Sequence, residues 1–362
     1  MNRPIPRGPV VQFAIVWLLF SSACADQHEV KNPTGATSAG TSKQPNAAAK
    51  IRIGTWNIEH LGSRSKFQNR AGAPPDRTPA EVAQVASFIE QMAVDVLAVQ
   101  EIANPAALQR LLKHLAGSYR FALGTTGVYD DTRISVGFLW NSTRVKLLHC
   151  GEMTEFPRKV GDLSVFHRKP VNATFRTVHA DGSPGFDFRA ITVHLKASQG
   201  SKNERKRSTE TKILADYLRE LASDSEEDQD VVVLGDFNHT YGAPACEVFT
   251  AEDLVQYAYP GGDRKLVPTI VWFDEPIDHI ALTKGIRDEV VAGSLRVHNQ
   301  LVDWSLQGAA LTASKAAWRT VYSDHFPVTL DLQSGRDLDP NAQFASAGQA
   351  LEIGLADNKR SK

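Results

Sequence analysis

Six short apolar runs constrain this chain more than any other feature, because each one ends or begins in carboxylates, amides or histidines. Four carry the polar groups on their C-terminal side: Trp56-Asn57-Ile58-Glu59, Val99-Gln100-Glu101, Val193-His194-Leu195-Lys196 and Leu234-Gly235-Asp236-Phe237-Asn238. Two carry them on the N-terminal side: Asp278-His279 before Ile280-Ala281-Leu282, and Ser323-Asp324-His325 before Phe326-Pro327-Val328. Short apolar runs bounded by turn signals read as buried strands. If the last two strands run opposite to the first four, all six polar groups reach one sheet edge, where sites of α/β proteins usually lie.

Between these strands run helical patterns. Val82, Val85, Ala86, Ile89 and Met92 recur at helical spacing, and Thr78 is a plausible N-cap before Pro79. Ala106 to Leu115 and Glu204 to Leu221 repeat the pattern, while 134–140, 145–148 and 186–195 read as further strands. Strands and helices mixed at these lengths predict an α/β (α+β) chain, with large sheets covered by helices. Of the 362 residues, 42% are hydrophobic and 22% charged, which supports a substantial core. The formal net charge of -1 favours neither nucleic acid nor membrane, so either partner must be argued from local charge.

The first 25 residues have the order of an export signal: Arg3 and Arg7, an apolar run from Val10 to Phe20, then Ser21-Ser22-Ala23-Cys24-Ala25. Ala23-Cys24-Ala25 fits a cleavage site that leaves Asp26 first. Alternatively Cys24 is itself a lipidated first residue, although Ser21 stands where such signals usually carry Leu. Either way the expectation is an exported protein, periplasmic or extracellular, with a membrane tether through Cys24 in the second case. Residues 26–50 hold almost no large apolar side chain and read as a linker, and 336–362 as a flexible tail. One domain is expected over 51–335, acting as a monomer. Cys150 and Cys246 could form one bridge at most, and two separately buried thiols is the simpler expectation.

Glu59, Glu101, Asp236, Asp278 and Asp324 supply carboxylates, with Asn57 and Asn238 as amide partners. Taken singly, each has a bland reading: Gly235-Asp236 as a turn, His194 as a core histidine, Asp324-His325 as a surface pair. Six such pieces in one order are harder to dismiss. Carboxylates converging without a cation would repel one another and raise each other's pKa. Hard divalent cations want oxygen donors of this kind, so Mg²⁺ or Mn²⁺ is expected, with Ca²⁺ as a further option. Such a cation neutralises charge on a phosphoryl oxygen, and His194 and His325 supply donors or protons near neutral pH. The set fits attack of water on a phosphoester.

These segments resemble the endonuclease/exonuclease/phosphatase superfamily, the pancreatic deoxyribonuclease fold. The resemblance runs through Gly54–Glu59, Asp95–Glu101, Val193–Ala197, Gly235–Asn238, Ile277–Ile280 and Ser323–Val328, in the family's order. It implies a four-layered sandwich of two packed mixed β-sheets flanked by helices. It also implies roles: Glu101 as principal metal ligand, with Asn57, Glu59 and Asp324 beside it, and Asp236 orienting or deprotonating the water. Asn238 would hold the phosphate or that water, Asp278 would pair with His325, and His194 would match the first histidine of the nuclease branch. Arg168 and Lys196 would contact substrate phosphate. The chain departs from the family in its acidic partner for His194, for which Asp131 is the candidate, and in lacking the pancreatic enzyme's cysteine pairs.

The expected substrate is a phosphoester, nucleic acid foremost. Lys196, Lys202, Arg205, Lys206, Arg207 and Lys212 follow the His194 strand, and Arg64, Lys66, Arg70 and Arg77 follow the Asn57 strand, as phosphate-backbone contacts would. Interleaved Glu204, Glu210 and Glu220 allow the same run to be a solvated helix face. Lipid head-group phosphodiesterases and small-ester phosphatases share the family's core, and a non-catalytic binding module remains the alternative of another class. Trp272-Phe273 is the only aromatic pair singled out for stacking bases.

Overall fold

The structure is a computed structural model that describes residues 50–64, 74–126, 134–179, 184–225, 227–258 and 267–334. The chain divides into two units, Met1–Gln44 and Pro45–Lys362, and all described residues lie in the second. The export segment, the tail and the candidates Lys66, Arg70 and Asp131 fall outside the described residues.

The elements, in chain order, are β1 (Lys50–Leu61), α1 (Pro79–Met92), β2 (Val96–Ile102), α2 (Pro105–Leu112), β3 (Tyr119–Leu123), β4 (Ser135–Asn141) and β5 (Val145–Glu152). A two-residue pair, β6 (Lys159–Val160) and β7 (Leu163–Ser164), precedes β8 (Val171–Val178), β9 (Pro184–His194), α3 (Ser201–Ser223), β10 (Val231–Asp236) and α4 (Pro244–Thr250). The chain continues through β11 (Val255–Tyr257), β12 (Asp278–Thr283), β13 (Arg296–Val297), α5 (Gly308–Val321) and β14 (Val328–Gln333). One six-stranded sheet has the order β13-β14-β1-β2-β4-β3, the other β11-β12-β10-β9-β8-β5. Both mix parallel and antiparallel pairs, and helices cover their outer faces, so the fold is the expected four-layered α/β sandwich.

Period-two alternation builds the layers. Ile51 and Ile53 of β1 and Val96 and Ala98 of β2 face inward, meeting Ala190 of β9, Val232 and Leu234 of β10 and Ile280 of β12 in the central core. Trp56, Leu97 and Val99 face outward and pack under Val85 and Ile89 of α1, Leu108 of α2 and Trp318 of α5. On the other side Ile191, Val193, Val231 and Val233 pack under Leu214 and Leu218 of α3 and Phe249 of α4. Helix α1 starts as its sequence dictates: Pro79 follows the Thr78 N-cap, and Thr78 and Glu81 form a reciprocal capping box. Cys150 lies in the central core and Cys246 on the buried face of α4; both are free, as two buried thiols.

Strand direction then places the site. β1 runs parallel to β2, and β9 parallel to β10, so the C-terminal ends within each pair coincide. β12 runs antiparallel to β10 and β14 antiparallel to β1, so their N-terminal ends come to those same edges. The inward rows continue with the same alternation as Asn57 on β1, Gln100 on β2, His194 on β9, Asp236 on β10 and Asp278 on β12. The apolar interior between the sheets therefore becomes polar at one end, and that end is the candidate site.

Candidate active site

Asp236 sits at the centre of one sheet edge, with His194 of β9 and Asp278 of β12 as its direct register partners on either side. In the other sheet the pairing of β1 with β2 slips between Asn57 and Leu61, and that of β2 with β4 between Val99 and Ile102. Such bulges re-aim side chains. Glu59, His60 and Glu101 all take positive φ there (37°, 51° and 61°), as does Asn238 (52°) across the cleft. Strained non-glycine backbone gathered at one sheet edge is a mark of a functional site.

Asp236 is buried and held from both sides. Its Oδ2 accepts from Asn57 Nδ2 at 3.0 Å, and its Oδ1 accepts from the Asn238 backbone N–H at 2.9 Å. Burial pushes its pKa up to about 7, aided by the negative charges of Asp278 and Glu101 against the pull of His325 and Asn57. Asn238 Nδ2 donates to Leu195 O at 3.2 Å, so this amide ties the Asp236 strand to the His194 strand.

His325 faces Asp236 across the mouth of the sandwich. Its Nδ1 lies 2.8 Å from Asp278 Oδ2, while its Nε2 lies 3.8 Å from Asp236 Oδ2 and 3.8 Å from Asp324 Oδ1. Burial disfavours its charge, but the three carboxylates outweigh burial and raise its pKa well above the usual value. His194 is its opposite. Burial, joined by the Arg168 charge, drives its pKa well below normal, and its Nδ1 has no hydrogen-bond partner among the described residues. Its Nε2 lies 3.5 Å from Asp236 Oδ2 and 3.8 Å from Glu101 Oε1. Their surroundings thus favour the charged form of His325 and the neutral form of His194.

Glu101 accepts at Oε2 from the His60 backbone N–H at 3.2 Å, with His60 Nε2 3.3 Å away. Burial alone would raise its pKa, yet His60, His194, His325 and Arg168 together bring it down to about 2. Asp324 is raised by burial and by Glu101, against the pull of His325. Two carboxylates that disfavour each other's charge at the edge of a cleft suit a divalent cation, and Asn57 completes a set of hard oxygen donors. Geometry also offers Asp236, Asp278 and His325, whose ligand atoms lie within 4.8 Å of one another. There Asp236 Oδ2 already accepts from Asn57 and Asp278 Oδ2 is paired with His325 Nδ1, so the Glu101 side fits better.

Glu59 is placed differently from the other acids. Arg64 Nη2 binds its Oε2 at 3.0 Å and Arg319 Nε its Oε1 at 2.7 Å, so both carboxylate oxygens are engaged by guanidinium groups. Arg319, at the end of α5, also lies 5.0 Å over the Trp272 ring. Neither this role of Arg64 and Arg319 nor the His60 contact was expected from sequence. Arg319 lies 260 residues from Glu59 and leaves no local pattern, whereas Arg64, five residues on, was the one available signal.

The basic runs need correction. Arg64 and Arg77 do not lie on an exposed loop. Arg64 donates to Thr320 O and Arg319 O, and Arg77 to Ile58 O, Glu59 O, Val321 O and Tyr322 O. Burial brings the Arg77 pKa down to about 9. Arg207 is buried too, donating to Lys196 O and Ser198 O, and Lys212 pairs with Asp216. Lys202 and Arg205 remain exposed on the first turns of α3. The Arg168 charge reaches the site, acting on Glu101 and His194, whereas Lys196 is half-buried, its pKa lowered by burial and then by the Arg168 charge. A groove of about 580 Å³ adjoins the cluster at Asn238, walled by Ser198, Gln199, Thr240, Trp272 and Phe273, with both aromatic rings exposed. Among the described residues, no helix is long and apolar enough to cross a membrane.

Comparison with known proteins agrees with this fold. The sequence model described as the endonuclease/exonuclease/phosphatase family matches residues 54–325. A protein named deoxyribonuclease from Thioalkalivibrio sp. (strain K90mix) is 26% identical over 199 residues, which are 54% of this chain and 48% of that protein. The chain therefore matches about half the length of this relative. Among solved structures, an endonuclease/exonuclease/phosphatase from Bacteroides vulgatus superposes with a TM-score of 0.52 at 19% identity, over 79% of this chain and 99% of that one. TDP2 of D. rerio complexed with a single-strand DNA product gives 0.51 at 17% identity, over 78% and 98%. A mannosyl-6-phosphatase of Bacteroides thetaiotaomicron gives 0.50 at 14% identity, over 77% and 98%. At these identities the structural likeness speaks for the fold alone.

Proposed function

Because the chain belongs to the endonuclease/exonuclease/phosphatase family, whose members are hydrolases of phosphoester bonds, we propose that it is a nuclease cleaving phosphodiesters with water. Members of the family are generally dependent on a divalent metal; here Mg²⁺ or Mn²⁺ is proposed. The observation that carries the reading is the meeting of Asp236, His325 and His194 at one cleft, each imidazole Nε2 lying within 3.8 Å of Asp236 Oδ2. When bound, the cation would supply Lewis acidity to a phosphoryl oxygen, held by Glu101, Asp324 and Asn57.

The chain's own groups are given the remaining roles. Asp236, fixed by Asn57 and Asn238, orients the water and takes its proton as the oxygen attacks phosphorus. His325, kept charged by Asp278, donates to a phosphoryl oxygen on which negative charge gathers. His194 and Arg168 face the phosphate from the other side. As the phosphorus–oxygen bond breaks, the leaving oxygen takes a proton from solvent, since burial favours a neutral His194, which can offer a hydrogen bond but has no proton to give up. Nucleic acid is favoured as substrate by the deoxyribonuclease relative and by exposed Lys202 and Arg205 beside the site. The test is a panel of DNA, RNA, sphingomyelin, sugar phosphates and bis-p-nitrophenyl phosphate, each with Mg²⁺ or with chelator. Metal-stimulated cleavage of nucleic acid is expected; turnover confined to lipid or sugar phosphate would reject the nuclease reading.

A further inference from the structure

Glu210 is a fully buried carboxylate on α3, well outside the cluster described above, and both of its oxygens are engaged by backbone. Oε1 accepts from the Phe166 N–H at 2.7 Å and Oε2 from the Lys196 N–H at 2.8 Å. Those two amides belong to different loops. Phe166 stands two residues before Arg168, and Lys196 two residues after His194. Phe166 takes a φ of 42°, a conformation costly for an aromatic residue unless something holds it. One turn earlier on α3, Arg207 Nη1 donates to Lys196 O at 2.9 Å and Ser198 O at 2.8 Å, while its Nη2 holds Glu204 at 2.7 Å. The Lys196 peptide is therefore gripped at its N–H by Glu210 and at its C=O by Arg207, and Asn238 holds the neighbouring Leu195 carbonyl.

We infer that Glu210 is a positioning residue that sets the Arg168 loop and the His194–Lys196 loop at a fixed separation, so that Arg168 and His194 meet the same phosphate. The inference rests on the proposed phosphodiesterase reading. A carboxylate is the side chain this task needs, since it accepts on both oxygens and a single group then spans both loops. The Arg168 charge acts on Glu210 and on Glu101 alike, so the guanidinium is within electrostatic reach of both this clamp and the catalytic cluster. A carboxamide keeps the shape but turns an NH₂ group toward one of the two N–H donors, which must then move apart. Misplacing a positioned group by about 1 Å costs on the order of a hundredfold in rate.

The test is a double-mutant cycle on the full chain, with Glu210→Gln, Arg168→Ala and the two combined, using bis-p-nitrophenyl phosphate and saturating Mg²⁺. Glu210→Gln is expected to lower kcat by about tenfold to a hundredfold. If Glu210 acts through Arg168, the double variant falls to within about twofold of the slower single variant. Rate losses that multiply, or wild-type turnover in Glu210→Gln, overturn the inference, since a brace serving only the fold would be additive. Near-ultraviolet circular dichroism confirms folding; should the Gln variant fail to fold, Glu210→Asp, too short to reach both amides, carries the same cycle. An inactive wild-type chain overturns the phosphodiesterase reading and the inference together, whereas an active wild type with an additive cycle sinks the inference alone.

Discussion

Replacing Asp278 by Asn separates the charge of the Asp278–His325 pair from its shape. In the wild type the two side chains are almost wholly buried and 2.8 Å apart. A hydrogen bond to a charged group contributes about 1.5–3 kcal/mol, and a neutral one about 1 kcal/mol. Breaking an isolated buried pair would cost about 3–5 kcal/mol, because a charge is left uncompensated. His325 would not be left so, since Asp236 and Asp324 each lie 3.8 Å from its Nε2. The expected loss is therefore about 1–2 kcal/mol. Its pH dependence has a definite sign. The carboxylates overcome burial and raise the folded His325 pKa above the unfolded value of about 6.5. The stabilisation is then complete below that unfolded value and is lost as pH rises through the folded one. Asp278 also helps burial raise the Asp236 pKa to about 7, so removing its charge relieves a cost that builds as pH rises toward that value and stays in full above it. Both effects narrow the gap between wild type and variant at high pH. Urea denaturation at about pH 6, 7.5 and 9 at fixed ionic strength measures it. A gap that widens with pH, or none at pH 6, would refute the reasoning.

Gln100 joins the two sheets inside the sandwich, donating to Thr55 Oγ1 at 3.1 Å in β1 and to Thr192 Oγ1 at 3.0 Å in β9. Gln100→Leu leaves two buried hydroxyls without this partner and should cost about 2–4 kcal/mol in urea denaturation, with a loss under 1 kcal/mol counting against the bolt. Gly235 has a φ of 154°, and an added Cβ would collide with Val193 O. Gly235→Ala combines backbone strain with overpacking and should lose about 3 kcal/mol or more, so a wild-type denaturation midpoint would disprove the close approach. For export, the proposed processing predicts a mature N-terminus at Asp26 or a lipidated Cys24 by mass spectrometry of the envelope and medium, and an intact Met1 there would reject both.

Much of the site was legible because strand-end chemistry survives in one dimension. Asn57, Glu101, His194 and Asp236 each close an apolar run while Asp278 and His325 each open one, and two reversed strands suffice to bring them together. Strand β8 was also open to reading, since Val171, Ala173 and Phe175 alternate with polar residues. Helix α5 was not: of its fourteen residues only Trp318 is buried, so no apolar stripe marks it. Its Arg319 consequently went unseen as a partner of Glu59. The arginines misled for a related reason. A buried Arg64 or Arg207, or a half-buried Arg77, that binds backbone carbonyls looks, in sequence, like a charge in water. Glu210 hid in the same way among the charges of α3. Local pattern reports where chemistry ends a strand, whereas the polar contacts that hold loops in place depend on the finished packing.

The central claim is that Glu101 on one sheet and Asp236 on the other form a single metal-dependent phosphodiesterase site. Hydrolysis of bis-p-nitrophenyl phosphate by the full chain and by Glu101→Ala and Asp236→Ala, across a Mg²⁺ titration with melting followed in parallel, tests it most directly. The account predicts metal-stimulated turnover in the wild type, lost by at least a hundredfold in each folded variant. Metal-independent hydrolysis by the wild type, or near wild-type turnover in either variant, would contradict it.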